Sequence, residues 1–310
     1  MPKRKIAIIG LGKISLDQHV PVIGASDAFE LAAIVSTRGL GHGKVPVFKT
    51  PAELYQAMPD VGVVAVNTPP SVRHPIAHEA LAAGKDVLLE KPPATTLSEL
   101  ADLEAFAHVQ RCVLFATWHS IFNPAVDEAH ALIARSGLKS LHIEWREDVK
   151  KWHPGQDWVW EPGGFGVFDP GINALSIFTT ILPTVPFVKS AELTYPANRQ
   201  TPIGVKLAMS DAQGTPLTAD FDWREKGDEK WHMMIALADG RSARLFKGGS
   251  ALSLDGKAIV EAPSEEYQRI YRRFAQLLDE RRSDVDAAPL RLVADAMLLG
   301  RRLTTDAFHW

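Results

Sequence analysis

Residues 5–15 read KIAIIGLGKIS. A short run rich in β-branched side chains enters a Gly-x-Gly turn and continues into a stretch suited to a helix, the context in which a glycine turn acquires a mechanism. Gly10 permits the tight reversal, and Gly12 lets backbone amides approach a phosphate at the positive end of the helix that follows. The third position is Ser15, where glycine or alanine is usual, so the reading rests on placement as much as on the glycines. Basic residues precede the apolar run, as in a secretory leader, but the run is short and lacks a small-residue cleavage site, so it reads as a first strand.

Outward from this turn the pattern repeats. The runs FELAAIV, VGVVAVN, DVLLE and CVLFAT alternate with helical stretches PAELYQAM, SVRHPIAHEALAAGK and LSELADLEAFAHVQ. Strands alternating with helices predict a parallel sheet covered by helices. After NPAVDEAHALIARSG, a helix stopping at Gly137, the texture changes to longer alternating strands, SLHIEWRED, TPIGVKLAMS, TPLTADFDW and KWHMMIALADG, with turn signals at DAQG, ADG and LDG. Two helices, Glu265 to Glu280 and Pro289 to Thr305, are expected to close the chain. The predicted fold is α/β: a doubly wound, Rossmann-type parallel sheet over residues 1–122, then an α+β domain with an open, mainly antiparallel sheet over residues 123–310.

Composition agrees with two domains. The 310 residues are 46% hydrophobic and 23% charged, an ordinary globular balance. With 34 basic and 37 acidic side chains the formal charge is -3, which leaves no electrostatic footprint for nucleic acid or an anionic membrane. A small polar substrate fits better. The single cysteine, Cys112, lies in an apolar run and reads as core; one cysteine suits a reducing compartment. No stretch approaches the roughly 20 apolar residues needed to span a bilayer, so a cytoplasmic location is expected.

At the end of the second strand the sequence is VSTRG. NAD-preferring nucleotide domains usually place a carboxylate there, for the ribose hydroxyls. Ser36, Thr37 and Arg38 instead present hydroxyls and a guanidinium, groups that bind a 2′-phosphate, unless the segment is only a solvated turn. NADP is therefore expected to be accepted and preferred, with NAD as the alternative. His74 and His78 share a helix face without a further ligand, and no other histidine has metal-site spacing, so no metal is expected.

NTPPSVRH, residues 67–74, followed by DVLLEKPPA, residues 86–94, resembles the glucose-fructose oxidoreductase, inositol dehydrogenase and MocA family over nearly the whole chain. Ligands of doubly wound folds collect at the carboxyl ends of the strands, where Glu90, Lys91 and Pro92 should lie. The resemblance implies a cofactor site made from Gly10, Gly12, Lys13, Ile14, Ser36, Thr37, Arg38, Asn67, Thr68, Pro70, His74, Glu90 and Lys91. It also implies a cis bond before Pro92, with Lys91 directed at the reacting hydroxyl. A lysine there hydrogen-bonds the oxygen and stabilises negative charge as its proton leaves.

The second half of the pattern is GGFGVFDPGINALSI, residues 163–177. Asp169 and Asn173 share a face if a helix begins near Asp169, where the aspartate is either a helix cap or a catalytic base. Many family members have histidine where Asn173 stands, and asparagine cannot accept a proton in that way. The proton-accepting role then passes to Asp169, coupled to Lys91. Asn173, with TWHSIFNPA, IEWREDVKKWHPG and EKWHMM, is most similar to the family's bacterial aldose 1-dehydrogenases, which implies oxidation of the anomeric hydroxyl of L-arabinose or D-galactose to a lactone. It further implies that His119, Glu147, Asp148, Trp152 and Trp231 help hold the sugar, since carboxylates and imidazoles bind hydroxyls and indole faces cover C–H surface. Alternation in KWHMMIAL explains Trp231 equally well as one face of a strand. The rivals are another sugar, inositol or dihydrodiol oxidoreductase, and a non-catalytic NADP-binding transcriptional regulator, which would need neither Lys91 nor Asp169. The exposed face of the second sheet offers a surface for a homo-oligomer.

Overall fold

The computed structural model describes residues 2–310, and the chain forms two compact units. The first runs to His119 and takes in Tyr267–Ala287; the second comprises Ser120–Glu266 and Ala288–Trp310. A single boundary near residue 122 does not capture this division, because the chain returns to its first unit late in the sequence.

The first unit contains β1 (Arg4–Ile9), β2 (Phe29–Val35), β3 (Val47–Phe48), β4 (Val63–Val66), β5 (Asp86–Leu89) and β6 (Leu114–Ala116). They form one parallel sheet in the order β3-β2-β1-β4-β5-β6, the doubly wound arrangement expected from the sequence. VVAV in β4 and VLL in β5 are fully buried, as strands covered on both faces must be. Ile9 pairs with Val35 and Val66, Val66 with Leu89, and Leu89 with Ala116. This register brings Gly10, Ser36, Asn67, Glu90 and Thr117 to one edge, each the residue after its strand.

A π-helical turn (Ser15–His19) follows the glycines and runs into α1 (Val20–Gly24). The covering helices α2 (Pro51–Ala57), α3 (Pro70–Ala82) and α4 (Leu97–Gln110) begin at side-chain caps or at proline. Thr50 accepts from the Glu53 amide, and Thr96 with Glu99 forms a complete capping box.

The second unit contains α5 (Val126–Ser136), β7 (Leu138–Arg146), α6 (Val149–Trp152), α7 (Phe168–Ile181), β8 (Phe187–Pro196), β9 (Gly204–Ser210), β10 (Leu217–Asp222), β11 (Lys230–Leu237), β12 (Ser242–Phe246), β13 (Ala251–Leu254) and β14 (Lys257–Glu261). After α8 (Glu266–Glu280), α9 (Ala288–Leu299) and β15 (Arg301–Thr305) complete it. Its sheet is ordered β14-β13-β12-β11-β7-β10-β9-β8-β15 and is antiparallel except for the pairs β7/β10 and β8/β15. α7 lies against this sheet, and Gly171 allows its backbone to approach the Phe221 ring of β10, where a Cβ would stand 2.9 Å from the ring.

The last helix is shorter than expected. It ends at Leu299, and RRLTT forms β15 parallel to β8 instead of two further helical turns. Gly300 explains the break: any Cβ there would lie 2.6 Å from the Ala296 carbonyl oxygen and from the Leu193 side chain. Among the described residues, no helix is long and apolar enough to cross a membrane.

Candidate active site

The phosphate turn is held by contacts that explain its departure from the usual pattern. Gly10 has φ +97°, and a Cβ on it would stand 3.0 Å from the Thr68 amide nitrogen and methyl, so only glycine fits. A Cβ on Gly12 would meet nothing within 4 Å, leaving room for a ligand. Ser15 is buried; its hydroxyl donates to the Gly10 carbonyl (2.7 Å) and accepts from Asn67 Nδ2 (3.0 Å). The serine thus pins the turn to the end of β4.

Two buried polar atoms beside this turn, Asn67 Oδ1 and Thr68 Oγ1, have no protein partner. Buried polar atoms are seldom left unmatched, so these mark a place for an external polar group. With the open surface over Gly12 they fit a dinucleotide. Ser36 is buried and its hydroxyl accepts from the Leu40 amide (3.1 Å), which shapes the turn, while Thr37 and Arg38 are exposed. Lys13 pairs with Asp17 one turn on, and Ile14 is part-exposed beside it. Pro70 is buried in the first turn of α3. His74 does not join this group: its Nε2 lies 2.8 Å from Asp102 Oδ2 on α4, and its ring neighbours His78, which stacks on Phe106.

At the end of β5, Glu90 is 3% exposed and both carboxylate oxygens are engaged. Oε1 accepts from the Tyr267 hydroxyl (2.7 Å) and lies 3.0 Å from His19 Nε2, while Oε2 accepts from the Lys91 amide (2.9 Å). Burial alone would raise its pKa, but the His19 bond and charge, aided by His119 and Tyr267, outweigh it and hold the carboxyl at about 2. The Glu90 side chain is thus occupied within the protein. The Lys91–Pro92 peptide is cis. Buried Arg73 donates to the carbonyls of Thr68, Glu90 and Pro92 and so ties β4 to this corner. His119 stacks against Tyr267 at 5.8 Å.

The second unit carries a separate polar group. Asp169, 4% exposed, sits in the first turn of α7, where the helix dipole favours negative charge. The cap position itself is Val167, so Asp169 is not the cap, and its Oδ2 lies 3.2 Å from His153 Nε2. Sequence reasoning misses His153, in the WHP motif, because its partner is remote along the chain. Its Nδ1 faces Gln156 Oε1, and its ring packs against Trp158 and Trp223. Asn173 lies one turn along α7 from Asp169 and is half-buried.

Glu147 is 6% exposed and accepts indole N–H bonds from Trp223 (3.1 Å) and Trp231 (2.9 Å). Burial outweighs those bonds and the nearby His153, and with the charge of Asp169 lifts its carboxyl to about 7. Trp231 is therefore anchored rather than an arbitrary strand residue, and it leans on Trp152 at 5.6 Å. The Trp152 indole donates to Glu229 (2.6 Å). Asp148 differs from its neighbours: its carboxylate caps α6 through the Lys150 amide (2.8 Å), a structural duty.

Known proteins share both the sequence pattern and this architecture. Residues 4–117 match the family model GFO/IDH/MocA, an oxidoreductase family with an NAD-binding Rossmann fold. The chain is 44% identical over 309 residues to a galactose 1-dehydrogenase of Pseudomonas fluorescens, covering 98% of each. A D-galactose-1-dehydrogenase crystal structure from Rhizobium etli superposes with a TM-score of 0.95 at 48% identity, covering 100% of this chain and 99% of that one. KijD10, a 3-ketoreductase from Actinomadura kijaniata solved with NADP, shares the fold at a TM-score of 0.83 and 19% identity, over 98% of this chain and 100% of that one. Likeness of this extent, joined to the glycine turn and the corner formed by Glu90, Lys91 and Pro92, means that the chain belongs to the glucose-fructose oxidoreductase, inositol dehydrogenase and MocA family of oxidoreductases.

Proposed function

We propose that this chain oxidises the anomeric hydroxyl of a galactose-type pyranose, D-galactose or L-arabinose, to its lactone, using NADP in preference to NAD. Full-length likeness to galactose dehydrogenases carries the substrate assignment. When bound, the nicotinamide dinucleotide supplies the hydride acceptor. Gly10, Gly12, Asn67 and Thr68 hold its phosphates and ribose, and Thr37 and Arg38 receive the 2′-phosphate on the turn that Ser36 shapes.

Lys91 donates a hydrogen bond to the anomeric oxygen and stabilises charge as the proton departs. Asp169 accepts that proton, and the imidazole at 3.2 Å keeps the carboxylate oriented. Asn173 orients the sugar through an amide that both donates and accepts. Trp152 and Trp231 provide apolar faces for sugar C–H surface, the His119 imidazole binds a sugar hydroxyl, and Glu147 fixes the Trp231 ring. The test is a panel of aldoses and inositols with each cofactor, followed by absorbance of the reduced nicotinamide. Turnover of D-galactose or L-arabinose, faster with NADP, is the expected result. Turnover of inositols or dihydrodiols alone would overturn the reading, as would cofactor binding without any turnover.

A further inference from the structure

Glu90 is a buried carboxylate with no direct part in the chemistry above, and its partners come from widely separated elements. His19 belongs to the helical segment that starts at Ser15 of the phosphate turn, and Tyr267 to α8. His19 is fully buried; its Nε2 faces Glu90 Oε1 and its Nδ1 lies 2.7 Å from the Tyr271 hydroxyl. Tyr267 and Tyr271 also pack edge-on around the imidazole at 5.0 and 5.8 Å. The other Glu90 oxygen accepts from the Lys91 amide, while Arg73 donates to the carbonyls of Glu90 and Pro92. The backbone on both sides of Lys91 is thereby fixed.

A buried ionised group is costly unless its bonds are complete, so an apolar side chain would serve packing alone at least as well. We infer that His19 and Tyr267 are positioning residues for Lys91, acting on its backbone through the Glu90 carboxylate. Their arrangement also ties the lysine to the phosphate turn, because Ser15, at the start of the His19 segment, bonds the Gly10 carbonyl. The inference rests on the role given to Lys91 in the proposed reaction.

The test uses His19→Ala, His19→Gln and Tyr267→Phe in the full chain, with wild-type turnover of D-galactose measured alongside. Misplacing a reacting group by about 1 Å costs on the order of 10²-fold in rate, so His19→Ala and Tyr267→Phe should lose about 10- to 100-fold in kcat. Sugar KM and NADP Kd should remain within about twofold, since the proposed binding groups are untouched. His19→Gln, which keeps an amide donor toward Glu90, should recover part of the loss. Hydrogen exchange supplies a readout independent of activity. Pro92 and Pro93 have no amide hydrogen, so the Lys91 amide is one of few exchanging sites in this corner. Exchange at the Lys91 amide should quicken in His19→Ala and Tyr267→Phe. Tyr267→Phe retains the ring and should unfold near the wild-type Tm, which keeps the test open if His19→Ala is unstable. Normal kcat in a folded Tyr267→Phe variant, or unchanged Lys91 exchange, would overturn the inference. If the wild type oxidises no aldose, the substrate reading fails, and the exchange measurement still judges the positioning.

Discussion

In the proposed reaction three groups of side chains carry the chemistry, and each can be removed singly. Lys91→Ala and Asp169→Asn should each lower kcat by about 10²- to 10⁴-fold, the range for a positioned acid or base, with NADP affinity and Tm little changed. A folded Asp169→Asn protein with near-normal kcat would leave Asp169 without the base role. Replacing exposed Thr37 by Asp places a carboxylate where the 2′-phosphate is expected, so NADP should weaken far more than NAD; Arg38→Ala should act in the same direction. Equal effects on both cofactors would show that this turn does not read the phosphate. Glu147 gives a pH signature. Its carboxyl is held at about 7 in the folded state against 4.5 as an ordinary glutamate. The folded state therefore binds more protons across that window, and the stabilisation is complete below it and lost as pH rises through about 7. The stability of wild type minus that of Glu147→Gln should fall by on the order of 1–3 kcal/mol across the window, and a flat difference by chemical denaturation would contradict the shift. The placement of Asp169 in the first turn of a helix and of Lys91 just beyond a strand end is legible in the sequence because each sits in a local motif. His153, His19 and Arg73 are not, since their roles depend on partners that only tertiary structure brings near.

Elements are legible where their own periodicity and caps decide them. The first five major strands, the capped helices and the glycine stop at Gly137 follow from local pattern, whereas the Gly300 break is hidden by an apolar run that continues helical spacing up to Leu299. Strand β15 exists because β8 offers it an edge, information absent from RRLTT itself. Helix α7 shows how close packing at this scale can be tested. Gly171→Ala would gain about 1 kcal/mol in helix propensity, yet the new methyl would stand 2.9 Å from the Phe221 ring. That ring is fully buried and edge-on to Phe168 at 6.1 Å, so it has little room to yield. Overpacking costs about 1–3 kcal/mol, and the clash should win, lowering the denaturation midpoint. A raised midpoint would show that the sheet shifts to admit the methyl.

At the scale of the whole molecule the least legible feature is the return of α8 to the first unit. Its apolar face, Tyr267, Ile270, Tyr271, Phe274, Leu277 and Leu278, follows helical spacing and marks it as amphipathic, but amphipathicity does not say which sheet receives it. The structure answers with aromatic contacts: Phe274 stacks on Phe29 at 5.8 Å and lies 5.9 Å from Phe115, while Tyr271 meets Phe29 edge-on. Phe274 has no exposed surface, so truncating it removes a large buried ring from the first unit. Phe274→Ala should cost about 3–5 kcal/mol, the usual loss for a buried phenylalanine. The same packing predicts the behaviour of a fragment ending at residue 122. Such a fragment keeps every strand of the parallel sheet but loses the helix over Phe29 and Phe115, and with it the Tyr267 bond to Glu90. It should unfold at much lower denaturant than the full chain, or expose enough apolar surface to bind a hydrophobic dye. Supplying residues 267–287 as a covalent extension through a flexible linker should restore cooperativity. If the fragment ending at residue 122 unfolds cooperatively and as stably as the full chain, α8 is an accessory to the first unit rather than part of its core.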